Sequence, residues 1–153
     1  MNYFFTDGAT SKNGSKEAVG AWAWAQIEND EIVTSGWDYV APATNNRCEL
    51  LAVIHACTHA LAQNKLPATI YSDSAYIVNC YNQKWYKNWK YNGWVNSKRE
   101  PVANKDLWEK LIPFFEDKDF IFTKVKGHNG VFGNEVVDTI AKQCITNMRN
   151  DKC

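Results

Sequence analysis

The chain predicts a mixed α/β domain: a five-stranded mixed sheet with three antiparallel strands first and helices on the sheet faces. Three observations lead there. Three β-patterned stretches open the chain with only tight turns between them. A helical stretch then leads to the short apolar strand LPATIYSD at 66–73. A strand reached by a helical crossover runs parallel to a neighbour in its sheet. A further short strand, DFIFTKV at 119–125, lies between two more helical stretches.

Each element has its own signal. Residues 2–7 are aromatic and β-branched, and KNGSKE at 12–17 reads as a turn. VGAWAWAQI at 19–27 alternates small and large, as a strand with two unlike faces does. Asn29-Asp30 closes a hairpin into EIVTSGWDYV at 31–40. NNRCELLAVIHACTHALAQNK at 45–65 has helical periodicity, with Leu50, Ile54, Cys57 and Leu61 on one face and Thr44 or Asn45 as cap. Helices are expected at 74–82, at 104–117 with Asn104 as cap, and at 134–148 with Val137, Ile140, Ala141 and Cys144 inward.

The composition bounds the class. At 153 residues, 45% apolar with seven tryptophans, the chain suits one globular domain over 1–148, with 149–153 as a short tail. It has no apolar run of the roughly 18 residues that span a bilayer, and MNYFFTDG lacks a signal peptide's basic start and apolar run. A cytoplasmic setting without membrane association is expected. The five cysteines, Cys48, Cys57, Cys80, Cys144 and Cys153, are scattered and form no CxxC, so reduced thiols are expected. His55 and His59 have the i, i+4 spacing of zinc ligands, yet HACTH lacks the glutamate of HExxH, and a structural role is the expectation.

Four carboxylates stand out. Asp7 and Asp73 each end an apolar strand, and parallel neighbours would bring both to the sheet edge where open α/β sheets bind ligands. Glu49 and Asp138 fall near the starts of the helices after strands three and five. There the ordinary reading is pairing with the positive helix end. For the strand aspartates it is turn formation. Convergence of all four would raise their pKa values or demand a cation, a hard one such as Mg²⁺ or Mn²⁺.

Residues 81–105 redistribute a zero net charge. Lys84, Lys87, Lys90, Lys98, Arg99 and Lys105 face only Glu100, and Trp85, Trp89 and Trp94 are interleaved with them. Such a run is ordinarily a solvated face; clustered cations among aromatics also track a nucleic-acid backbone.

TDGA at 6–9, TNNRCELLAVIHA at 44–56, YSDSAYIV at 71–78, KNWKYNGWVNSKREPVANKDLWEKL at 87–111, KGHNG at 126–130 and GNEVVDTIAK at 133–142 together resemble the type 1 ribonuclease H family in its bacterial form. The resemblance covers nearly the whole chain. It implies a ribonuclease H-like fold and a monomeric endoribonuclease that hydrolyses the RNA strand of RNA–DNA hybrids without sequence preference. The products would be 5′-phosphate and 3′-hydroxyl ends. It implies that Asp7, Glu49, Asp73 and Asp138 hold one or two Mg²⁺ (or Mn²⁺) ions, two of them flanking the scissile phosphate. His128 then assists proton transfer or product release, and Glu135 aids metal exchange. Asn13, Asn45 and Asn46 match contacts to the RNA strand, where the 2′-hydroxyl is read. Thr44 and Asn104 match a pocket for a DNA-strand phosphate, and Trp85 lies beside the DNA sugar. Lys87, Lys90 and Trp89 belong to the basic protrusion over about 81–105 that grips the DNA strand. Ala9, Ala75, Cys48 and the KNGSKEAVG turn depart from the family pattern, which affects fine substrate contacts and no catalytic carboxylate. A non-catalytic hybrid-binding module, a junction-resolving nuclease and the ribonuclease H domain of a larger polymerase are the competing readings.

Overall fold

The computed structural model describes residues 2–11, 18–125 and 131–150. Its elements, in chain order, are β1 (Asn2–Ser11), β2 (Val19–Glu28), β3 (Glu31–Val40), α1 (Asn45–Ala62), β4 (Ala68–Ser72), α2 (Ala75–Gln83), α3 (Trp85–Asn92), α4 (Lys105–Phe115), β5 (Phe120–Lys124) and α5 (Phe132–Asn150). The sheet order is β3-β2-β1-β4-β5. β1, β2 and β3 pair antiparallel, whereas β4 runs parallel to both β1 and β5. The expected mixed sheet is therefore present. Asn29 and Asp30, at φ 53° and 58°, give the β2–β3 hairpin the doubly left-handed turn of type I′.

The alternation in β2 sorts two cores. Trp22 and Trp24 join Phe4, Leu50, Val53, Ile70 and Trp108 on the face covered by α1 and α4. Ala21, Ala23, Ala25 and Ile27 meet Val137, Ala141, Cys144 and Ile145 of α5 on the other. Large side chains fill the wide layer, and alanines let a single helix lie close to the strand. Cys48, Cys57, Cys80 and Cys144 are buried, free cysteines. Cys153 lies outside the described residues.

Four expectations for the helices need correction. Leu61 is 52% exposed, although Leu50, Ile54 and Cys57 are buried as expected. The buried stripe of α1 also takes in Val53 and Ala60, so its centre lies to one side of the expected line. Residues 85–92 form α3, which the sequence did not separate from its surroundings. Lys84, left-handed at φ 57°, ends α2 and begins α3. Asn104 precedes α4 but makes no side-chain cap; its backbone is left-handed at φ 60°. Finally, α5 starts at Phe132, which puts Asp138 in its second turn.

Candidate active site

Strand pairing creates the place where the carboxylates meet. β1 is laddered to β4 only from Asn2 to Phe5, yet it stays paired with β2 as far as Ser11. Beyond Phe5 one side of β1 is open, and β4 ends at Ser72. Asp7 and Asp73 emerge at this notch, the carboxyl end of parallel neighbours where such sheets bind ligands. Two bonds to Ser72 fix the chain beside Asp73: Ser74 N donates to Ser72 Oγ at 3.1 Å, and Val125 N, just past β5, donates to Ser72 O at 3.0 Å.

Glycines bring the helices in. A Cβ on Gly8 would lie 2.7 Å from Cys48 and the Glu49 nitrogen, so α1 can rest on β1 only at a glycine. The Gly8 N–H then bridges two acids, donating to Asp7 Oδ1 at 2.9 Å and to Glu49 Oε1 at 3.1 Å. A Cβ on Gly133 would clash with the Phe5 ring, so the start of α5 closes on the same strand. Asp138 reaches Asp7 from this side and also pairs with Lys142 at 3.1 Å. The first turn of α1 holds no acid, and Glu135 is the acid in that of α5. Helix-end pairing therefore explains neither Glu49 nor Asp138.

One oxygen from each of Asp7, Glu49 and Asp73 lies within 4.8 Å of the others. Burial, with repulsion from Asp73 and Asp138 added, raises the Asp7 pKa to about 7. Burial followed by Asp7 and Asp73 pushes Glu49 well above its usual value. Among the described residues, Glu49 Oε2 is buried without a hydrogen-bond partner. An all-oxygen, carboxylate-rich cluster with an unpartnered acceptor fits a hard divalent cation. The nearby Cys48 thiol, raised by burial to about 12, offers no competing thiolate.

The expected substrate residues divide. Thr44 caps α1, accepting from Arg47 N at 3.2 Å. Asn45 accepts from the Thr10 hydroxyl at 2.5 Å, and Asn46 is exposed. The Asn104 side chain accepts from Arg47 Nη1 at 3.2 Å. Trp85, half-buried against Tyr76, forms one wall of an open cleft of about 540 Å³, which Asn88, Asn96 and Lys98 also line. Trp89, only 6% exposed and packed on Trp94 and Trp108, also lines this cleft and is part of the core. Lys87 is exposed, whereas Lys90 is paired with Glu116 at 2.8 Å. Asn13 and His128 lie outside the described residues. Arg47 and Thr10 escaped the sequence reading, although strand alternation and a first-turn position put both beside expected contacts.

The histidine pair has the structural role expected of it. His55 stacks on Trp22 with centroids 4.0 Å apart, and His59 lies 4.5 Å from Trp24.

Comparison with known proteins agrees with this geometry. The RNase H family model matches residues 2–146. A ribonuclease H from Syntrophomonas wolfei subsp. wolfei is 40% identical over 144 residues, covering 94% of this chain and 95% of its own. RNase H1 from the halophilic archaeon Halobacterium salinarum NRC-1 shares the fold: TM-score 0.67 at 22% identity, over 95% of this chain and 98% of that one. A foamy viral protease-reverse transcriptase, solved in complex with an RNA/DNA hybrid, superimposes at TM-score 0.78 and 22% identity, over 94% of this chain and 20% of its own. With the family model spanning nearly the whole sequence and a bacterial relative 40% identical over the same span, the chain belongs to the ribonuclease H family.

Proposed function

We propose that Asp7, Glu49, Asp73 and Asp138 hold two divalent ions, Mg²⁺ or in its place Mn²⁺, for the hybrid cleavage that is the family's activity. The reaction is hydrolysis of the RNA strand in an RNA–DNA hybrid, leaving 5′-phosphate and 3′-hydroxyl ends. When bound, such ions supply an activated water and stabilise charge on the leaving oxygen. The chain's own part is to hold acceptor oxygens at fixed places before the substrate arrives. β1, β4 and α1 do this through backbone pairing and the Gly8 bridge, so little reorganisation is left for the reaction. Burial raises the Asp7 pKa to about 7 and raises that of Glu49; a bound cation favours the carboxylate form of both, so ion binding releases protons. The observation that carries this reading is the buried, unpartnered Glu49 Oε2 inside a three-carboxylate cluster.

In this reading the Trp85 cleft and Lys87 take the DNA strand through sugar and phosphate, which gives binding without base readout. The foamy viral enzyme's hybrid complex on the same fold supports the choice of ligand. Thr44 and Asn104 hold a DNA-strand phosphate, Asn13, Asn45 and Asn46 read the RNA strand, and His128 and Glu135 assist turnover. No helix of the described residues is long and apolar enough to cross a membrane. We place the enzyme in the cytoplasm as a monomer.

The test uses end-labelled hybrid, duplex RNA and duplex DNA, with Mg²⁺ and with EDTA, for the native protein and Asp73→Asn. The expected result is cutting of the hybrid's RNA strand alone, dependent on Mg²⁺ and lost in the variant. Tight hybrid binding with no cleavage in either Mg²⁺ or Mn²⁺ would make the chain a binding module.

A further inference from the structure

We infer that Arg47 is a positioning residue for substrate binding: it turns the Asn104 amide so that its N–H₂ faces the DNA-strand phosphate. This rests on the reading of Thr44 and Asn104 given above. Arg47 lies in the first turn of α1, and its backbone and side chain make two different bonds. Its backbone N–H donates to Thr44 Oγ1 at 3.2 Å. Its guanidinium crosses to the start of α4, where Nη1 donates to Asn104 Oδ1 at 3.2 Å. One residue thus takes an acceptor position on both members of the proposed pocket.

Donor chemistry settles the orientation. A guanidinium only donates, so the Asn104 atom that meets it must be the oxygen, and the amino group is sent the other way. Phosphate oxygens only accept, so of the two ways an amide can turn, one can bind phosphate. Thr44 is governed by the same logic: with its oxygen accepting from Arg47, the hydroxyl proton is the group left to offer. Nothing in α4 itself does this work, because the Asn104 side chain makes no cap there. Asp106 holds the guanidinium still, taking Nη1 at 3.2 Å and Nη2 at 2.8 Å in a two-pronged bond. That carboxylate also neutralises Arg47, which therefore contributes geometry more than attraction for the phosphate. Lysine could not substitute, since one ammonium on a flexible stem has no planar fork to face both Asn104 and Asp106.

The experiment measures KM and kcat on hybrids in which one DNA-strand phosphate at a time is a neutral methylphosphonate. The native enzyme is compared with Arg47→Met, Arg47→Lys, Asn104→Ala and the Arg47→Met/Asn104→Ala double variant. A hydrogen bond to a charged group corresponds to about tenfold in affinity. The native enzyme should therefore show one position where KM rises about tenfold with kcat little changed. Arg47→Met and Arg47→Lys should raise KM on the unmodified hybrid and lose most of that position-specific penalty. The double variant should bind no worse than Asn104→Ala. The Arg47–Asp106 pair is partly exposed, so these variants should stay folded, which the thermal midpoint checks. If Arg47→Met keeps the full penalty, or its loss adds fully to that of Asn104→Ala, Arg47 merely ties α1 to α4 and the inference fails. If Asn104→Ala itself keeps the penalty, or the native enzyme has none, the phosphate pocket fails and takes the inference with it.

Discussion

The acidic notch and the basic segment from 84 to 104 are built in opposite ways. The notch gathers residues far apart in sequence, Asp7 on β1, Glu49 on α1 and Asp73 in the turn that follows β4, and brings like charges together. The basic segment is contiguous and largely exposed, with helix α3 followed by an irregular stretch. Of the eight described residues with positive φ, five (Lys84, Gly93, Trp94, Arg99 and Asn104) fall in it. Left-handed backbone is costly for residues other than glycine and persists only where surrounding contacts hold it. Here the Trp89–Trp94–Trp108 packing below and the Val95–Pro101 bridge supply that support. The notch is thus electrostatically strained on a relaxed backbone, and the basic segment is conformationally strained with its charges well solvated. The fixed oxygens come from separate elements that meet at the sheet edge; the proposed grip comes from one short helix, α3, and the left-handed stretch after it.

The largest effect should come from breaking the notch. Asp73→Asn keeps shape and hydrogen-bonding size but removes a charge shared by the cluster. We expect cleavage to fall by about a thousandfold or more, roughly 4 kcal/mol of transition-state stabilisation, with hybrid binding in EDTA unchanged or tighter. Residual activity within tenfold of native would remove Asp73 from the catalytic set.

The second effect concerns stability, and its sign follows from the Asp7 shift. A carboxyl whose folded pKa is about 7 keeps a proton that the unfolded chain, at 3.8, gives up. Without metal, stability is then greatest at low pH and lost as pH rises from about 4 to about 7, at up to about 1.4 kcal/mol per pH unit for one proton. Asp7→Asn should flatten that slope and make the metal-free protein more stable at pH 8, while abolishing cleavage. Adding Mg²⁺ at ten times its Kd should recover about 1.4 kcal/mol in the native protein at pH 8, and far less in the variant. Denaturation in EDTA across this range checks both; a native curve flat in pH would refute the buried-charge account.

The two regions were unequally legible in the sequence. The notch was readable because its residues sit in or directly beside regular elements: alternation placed β1 and β2, periodicity placed α1, and strand-ending aspartates are rare enough to notice. Even so, Asp7 proved to lie mid-strand, since β1 continues to Ser11 on its β2 side alone. The convergence itself depended on Gly8 and Gly133, whose need for close approach shows only when the layers are assembled. The basic segment was readable in charge but not in shape. Nothing local announces that Lys84 turns left-handed and cuts one helical run into α2 and α3, or that Trp89 faces inward while Trp85 faces the cleft. Leu61 failed for a related reason: helical spacing defines a stripe, and packing decides its centre.

The smallest effects lie in the basic segment, where individual lysines differ. If Lys87 contacts a phosphate, Lys87→Gln should reduce the slope of log K against log salt by about 1 and leave the chemical step nearly unchanged. Lys90 is expected to matter less in the native protein, because its ammonium is already 2.8 Å from Glu116 Oε1. Both partners are about half exposed, so water screens the pair and a phosphate can compete for the lysine. Glu116→Gln then becomes the sharper probe: removing the competing carboxylate should tighten hybrid binding and steepen the salt slope, and Lys90→Gln in that background should cancel both gains. Fluorescence titrations across a salt series would show it. If Glu116→Gln leaves the slope unchanged, Lys90 is a strut between α3 and α4, and the grip of the segment rests on Lys87 and the Trp85 cleft.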